Sequence, residues 1–92
     1  MSYQEKINKL NEICNNLNSE TCTFINPSYK SALIGYTIEN DQVKAVYSEE
    51  KILKELQDKN NWNPLEVQEW YEYNVLRALP HMKPSPIIIH TF

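Results

Sequence analysis

A single glycine, Gly35, stands among the 92 residues. Glycine builds the loops that cradle phosphates and lets backbone approach a ligand closely. With one glycine, no G-x-G-x-x-G, P-loop or nucleophile elbow can be written. Nucleotide hydrolysis by a standard loop is therefore out. Inside a strand, Gly35 itself reads as a bulge or a close helix contact. The length adds a second bound. A chain this short buries only about 60–65% of the surface it exposes when unfolded, enough for one core and no large internal cavity. One domain, 1–92, follows.

The order of elements can be read from caps and periodicity. Ser2 and Glu5 form a capping-box pattern, and Tyr3, Ile7, Leu10, Ile13, Cys14 and Leu17 recur on one helical arc. This helix should reach about Leu17 and end in Asn18-Ser19-Glu20. The stretch Thr21–Lys30 reads as a loop around Asn26-Pro27-Ser28, with a short extended piece at Thr23–Ile25. Ser31–Glu39 alternates as a strand, with Ala32, Ile34, Tyr36 and Ile38 on one side and Leu33 on the other. Glu39-Asn40-Asp41-Gln42 has hairpin-turn composition, because Asn and Asp tolerate positive φ. Gln42–Tyr47 returns as a second strand.

Ser48 then caps a helix that carries Ile52, Leu53 and Leu56 and stops at Asn60-Asn61. Asn63-Pro64-Leu65-Glu66 opens another with an Asn cap, a proline at its first position and a closing Glu. That helix should run to about Leu79, ended by Pro80. The tail Ile87–Phe92 reads as a strand that must be paired and covered. The expected fold is α+β in two layers: a three-stranded antiparallel-type sheet with helices on one face, in the order α-β-β-α-α-β.

Charge and composition exclude several functions. The formal charge is −3 and Arg77 is the only arginine. A protein that neutralises nucleic-acid phosphates wants a basic stripe, so direct nucleic-acid binding is disfavoured and a protein partner with a basic surface fits the sign. A helix-turn-helix reading of residues 49–79 fails on the same ground, since its second helix carries three Glu against Arg77. No apolar window is long enough to span a membrane, and Met1–Lys6 lacks a basic, then apolar, leader. The expected location is the bacterial host-cell cytoplasm, where Cys14 and Cys22 would be free thiols. A metal set of Cys14, Cys22, His81 and His90 lacks zinc-type ligand spacing. No metal or cofactor is implied. The cluster Asn8, Asn11, Asn15, Asn16 and Asn18 reads as the coding bias of an AT-rich genome.

The helix 64–79 is the unusual segment. One arc of its wheel holds Val67, Trp70, Tyr71, Asn74, Val75 and Ala78, and reads as the core face. Asn74 lies in its middle, where a buried amide must be bonded, either to backbone or to a ligand. The other arc holds Leu65, Glu66, Glu69, Glu72, Tyr73, Leu76 and Arg77. It reads either as a solvated face packing its apolar residues on the neighbouring helix or as a partner-binding face. Arg77 is one turn from Tyr73 and can stack on it. Exposed acidic stripes are common, and no nucleophile accompanies these carboxylates, so no catalytic residue is assigned.

Several segments resemble a known group. Ala32-Leu33-Ile34-Gly35-Tyr36, Ala45-Val46-Tyr47-Ser48, Glu66-Val67-Gln68-Glu69-Trp70-Tyr71-Glu72-Tyr73-Asn74, Ala78-Leu79-Pro80 and Pro86-Ile87-Ile88-Ile89 carry the likeness. Together they are similar to a family of short, largely uncharacterised prokaryotic and phage proteins. Its hallmark is a Glu-Ala-x-Glu-Trp-x-Glu-Tyr-Asn helix motif, in which Val67 replaces the usual Ala. The resemblance covers 31–92, with the N-terminal helix, 1–20, standing as an addition. It implies no activity. By analogy of size, charge and setting, it suggests a phage-type inhibitor of bacterial defence, like the anti-CRISPR proteins.

Two functions stay open. One is a small acidic, non-enzymatic interaction protein acting through the second arc of helix 64–79. The other is a binder or processor of a small polar ligand, which requires Asn74, Glu69, Tyr73 and His90 to converge in one cleft. A homodimer would cover the edges of so small a sheet.

Overall fold

A computed structural model describes residues 1–21, 23–24 and 27–91. The Cys22 thiol, Asn26 and Phe92 lie outside that range, as does Ile25 at the end of the expected extended piece. The observed order is helix α1 (Tyr3–Leu17), strands β1 (Leu33–Glu39) and β2 (Gln42–Ser48), helices α2 (Glu49–Asn60) and α3 (Pro64–Tyr71), and strand β3 (Ile87–Ile89). A 3-10 turn, Pro27–Ala32, precedes β1, and a π-helical turn, Glu72–Leu76, continues α3. The α+β class and the α-β-β-α-α-β order are those expected.

Asn and Asp do the turning. Every positive φ among the described residues belongs to Asn18, Asn40, Asp41 or Asn61, and none to glycine. Asn18 and Asn61 cap the ends of α1 and α2 in the left-handed conformation. There Asn is the usual substitute for glycine. Asn40 and Asp41, at φ 51° and 62°, form the two-residue hairpin turn between the closing pair Glu39 and Gln42. Two positive φ values in sequence match the right-handed twist of the strands they join.

The helix starts form as their sequences dictate, except that of the box expected at Asn63–Glu66 only the Asn63 half is made. Both halves of the Ser2–Glu5 capping box are made. The Ser2 backbone N–H, and after it the Ser2 hydroxyl, hold the Glu5 carboxyl below its usual pKa. The Ser48 hydroxyl accepts the Lys51 N–H at 3.3 Å, and Asn63 Oδ1 accepts that of Glu66 at 2.9 Å.

The sheet order is β1-β2-β3, and the helices cover one face. The antiparallel-type sheet expected from sequence needs correction, because β3 runs parallel to β2. The connection from β2 to β3 passes through α2, α3 and the π turn. A crossover of this kind brings the tail back in the direction of β2. β1 and β2 are antiparallel, with a register shift between Leu33 and Gly35.

This irregularity revises the expected alternation. Leu33 faces Tyr47, Tyr36 faces Ala45 and Ile38 faces Val43. Cross-strand partners share a face, so Leu33 joins the face of Tyr36 and Ile38. The irregularity expected near Gly35 falls on its neighbour: Ile34 has no partner on β2, while Gly35 itself pairs with Val46. No atom lies within 4 Å of where its Cβ would be, so a close helix contact is not its reason.

The core gathers Leu10 and Cys14 from α1, Val43, Ala45 and Tyr47 from β2, Ile52 and Leu56 from α2, and Val67, Tyr71 and Val75 from the last helical segment. Each large apolar side chain so buried contributes about 1.5–3 kcal/mol relative to its exposed state. Ser31 and Ala32 belong to the 3-10 turn, not to the strand, and Ala32 is fully buried. No described helix is long and apolar enough to cross a membrane.

Candidate functional site

The expected single helix 64–79 is two segments, α3 and the π turn. A π turn closes its hydrogen bonds one residue later than an α turn. It therefore takes more residues per revolution and rotates the side chains that follow. Val67, Tyr71 and Val75 still reach the core. Asn74, expected at the centre of the core face, is carried to the exposed side. Its Nδ2 donates to the Trp70 carbonyl at 3.0 Å, within its own helix, not to a loop or strand. Leu76 is corrected in the opposite sense. Expected on the outer face, it is half-buried and packs against the core.

The remaining outer-arc residues are exposed: Leu65, Glu66, Glu69, Glu72, Tyr73 and Arg77. Leu65 and Tyr73 keep 68% and 65% of their surface accessible. The Arg77 guanidinium lies 4.6 Å from the centroid of the Tyr73 ring, the stacking expected from their spacing. Glu72 accepts from the Gln68 amide at 3.2 Å, one turn earlier.

An open cleft lies beside this arc. It is a shallow, wide-open depression of about 510 Å³ lined by Trp62, Glu66, Glu69, Trp70, Tyr73 and Asn74. Trp62 enters from the linker between α2 and α3, with its ring centroid 6.1 Å from that of Trp70. Trp70 in turn meets Tyr29, which meets Phe24, which packs edge-on against Tyr47 at 4.8 Å. The Phe24 N–H donates to the Tyr47 hydroxyl at 3.0 Å. An aromatic series thus runs from the middle strand to the cleft wall.

Sequence reasoning singled out four lining residues of the outer arc and motif, Glu66, Glu69, Tyr73 and Asn74, together with Trp70. It missed Trp62. The available signal was position: Trp62 immediately precedes the Asn63 cap, where an apolar residue commonly packs back onto the helix it introduces.

His90 does not join the cleft. Its Nδ1 lies 2.9 Å from a carboxylate oxygen of Glu49 at the start of α2, and its neighbour Thr91 donates to Glu50 at 3.1 Å. The convergence required for a small-ligand site therefore fails at His90. Glu49 also adjoins Tyr71. Burial pushes the Tyr71 phenol above its usual range, and the nearby carboxylate pushes it further. The buried Tyr71 hydroxyl nevertheless makes no hydrogen bond of ordinary length, and the Tyr29 hydroxyl is likewise unpaired.

Of the four residues weighed as metal ligands, Cys14 is buried in the core, where desolvation raises its thiol pKa. His81 lies in a 3-10 turn and His90 on Glu49. No group of three or more His, Cys, Asp or Glu residues arranged to hold a metal occurs among the described residues.

Compared with known proteins, the chain matches no family model, no curated protein and no solved structure.

Proposed function

We propose that this chain is a small non-enzymatic interaction protein that binds a basic protein surface through the cleft and the exposed arc beside it. The observation that carries this reading is the joining of two carboxylates, Glu66 and Glu69, to the aromatic side chains Trp62, Trp70 and Tyr73 in one open depression. Aromatic faces attract Lys and Arg through the ring quadrupole, and adjacent carboxylates add ordinary Coulomb attraction. The Arg77–Tyr73 stack provides the same chemistry within the chain. Rigid aromatic anchors surrounded by charge are also what protein interfaces favour.

The finer reading is a phage-type inhibitor of a bacterial defence system, acting by occupying the basic surface through which such a machine holds nucleic acid. A net charge of −3 and a length of 92 residues support it, together with the resemblance carried by residues 31–92.

The test has two stages. Binding of a Lys- and Arg-rich peptide is measured by calorimetry for wild type and for the Glu69→Lys/Tyr73→Ala variant. The reading expects the variant to lose at least tenfold in affinity, and equal affinity overturns the assigned face. A plasmid-interference assay in cells carrying a CRISPR system then tests inhibition. Restored transformation supports the finer reading, and unchanged interference overturns it for that system.

A further inference from the structure

The exposed edge of β1 leads beyond the cleft. Among the described residues, β1 has β2 on one side and no strand on the other. From Leu33 to Ile38 it carries neither charge nor proline. Ile34, Tyr36 and Ile38 are 44%, 44% and 48% exposed. Natural proteins rarely leave such an edge bare, because its free backbone groups pair with any extended chain.

The ends of this edge differ in charge. A small apolar groove of about 200 Å³ runs between α1 and the start of β1, with Leu10, Leu33, Ile34 and Tyr36 in its lining and Lys6 and Lys9 beside them. The Lys6 ammonium donates to the Leu33 carbonyl at 2.6 Å and holds this cationic end in place. The opposite end of β1 is Glu39, next to Ile38. Glu39 bonds Lys44 at 3.0 Å while half of its side chain stays exposed. It can therefore serve a second cation.

An antiparallel partner with this same sequence meets both requirements. We infer that β1 pairs with β1 of a second copy about a two-fold axis at Tyr36, joining two three-stranded sheets into one of six strands. The pairing sets Tyr36 against its counterpart and Gly35 opposite Thr37. It carries Ile38 and Glu39 of each copy toward the groove and the Lys6–Lys9 end of the other. The strand thus supplies an apolar residue for an apolar groove, followed by an acid for two lysines. A two-fold interface must be self-complementary in this way. The edge is short, so association should be concentration-dependent.

Sedimentation velocity and light scattering from micromolar to millimolar concentration test the inference. The expected mass rises from 10.9 kDa toward twice that value. Tyr36→Lys places like charges on the axis and should remain monomeric with unchanged circular dichroism. Glu39→Lys and Lys9→Glu should each weaken self-association, and their mixture should associate at least tenfold more tightly than either alone. That mixing experiment decides the matter if Tyr36→Lys fails to fold. A monomer at every concentration overturns the inference, as does a dimer that survives Tyr36→Lys or a mixture that shows no recovery.

Discussion

Trp70 meets the buried ring of Tyr29 with centroids 6.4 Å apart, and through that contact the cleft rests on the core. The half-buried indole both packs against the core and lines the site. A change in the core can therefore alter the cleft without touching a lining residue.

Tyr29 offers a direct test of that support. Its hydroxyl is buried without a hydrogen bond, while its ring contacts Phe24 and Trp70. Removing an unpaired buried hydroxyl removes its desolvation cost, about 1–3 kcal/mol in the general case. Tyr29→Phe should therefore raise stability by roughly 1 kcal/mol in urea unfolding. Tyr29→Ala should lower it by about 3–5 kcal/mol, as aromatic truncations do. A destabilised Phe variant would show that the hydroxyl is paired after all.

Alkaline pH should unfold the protein through its tyrosines. Burial holds the Tyr29 and Tyr47 phenols up to about 12, above the ordinary tyrosine value of about 10. The unfolded chain thus ionises these groups before the folded chain does. Their neutral forms contribute stability that is intact below pH 10 and is lost as pH rises toward 12. Absorbance at the phenolate band and circular dichroism should change together in that window. Early ionisation of these two residues in folded protein would contradict the packing.

The left-handed caps make a separate prediction. Asn61 ends α2 at φ 57°. A β-carbon is disfavoured there, and Asn is tolerated better than most residues. Asn61→Ala should cost about 1 kcal/mol, whereas Asn61→Gly should be neutral or slightly stabilising. Thermal denaturation of the two variants checks the order. Equal effects would place the role of Asn61 in its side chain.

Both tryptophans of the chain, Trp62 and Trp70, line the cleft. A basic peptide that binds there should change the intrinsic indole emission, and the change should weaken as salt is raised. Phe at either Trp position should reduce the signal by about half. A peptide that binds with no spectral change would direct attention to another surface.

Much of the fold was legible because its signals are local. A Ser or Asn cap bonds a backbone N–H three residues away, and the Asn40–Asp41 turn joins strands adjacent in sequence. The core stripes of α1 and α2 likewise follow from periodicity. About half of the site could be read in the same way. Glu66, Glu69 and Tyr73 lie one turn apart, as do Tyr73 and Arg77, and each spacing places its residues side by side on one helix.

What remained needed contacts between distant parts of the chain. The irregularity at Ile34 reorients Leu33 because β2 sets the register. The π turn moves Asn74 outward and Leu76 inward, while Tyr71 and Val75 stay in the core. No propensity in a single helix predicts that extra residue. The parallel pairing of β3 depends on where the helical crossover returns the chain, and Trp70 meets Tyr29 only once α3 has packed on the turn before β1. The cap residues and the Asn40–Asp41 pair thus determined from sequence alone where the chain turns, since those choices cost or gain energy within a few residues. The direction of β3 and the backing of Trp70 by Tyr29 were decided by tertiary packing, whose energy comes from surfaces that no local stretch contains.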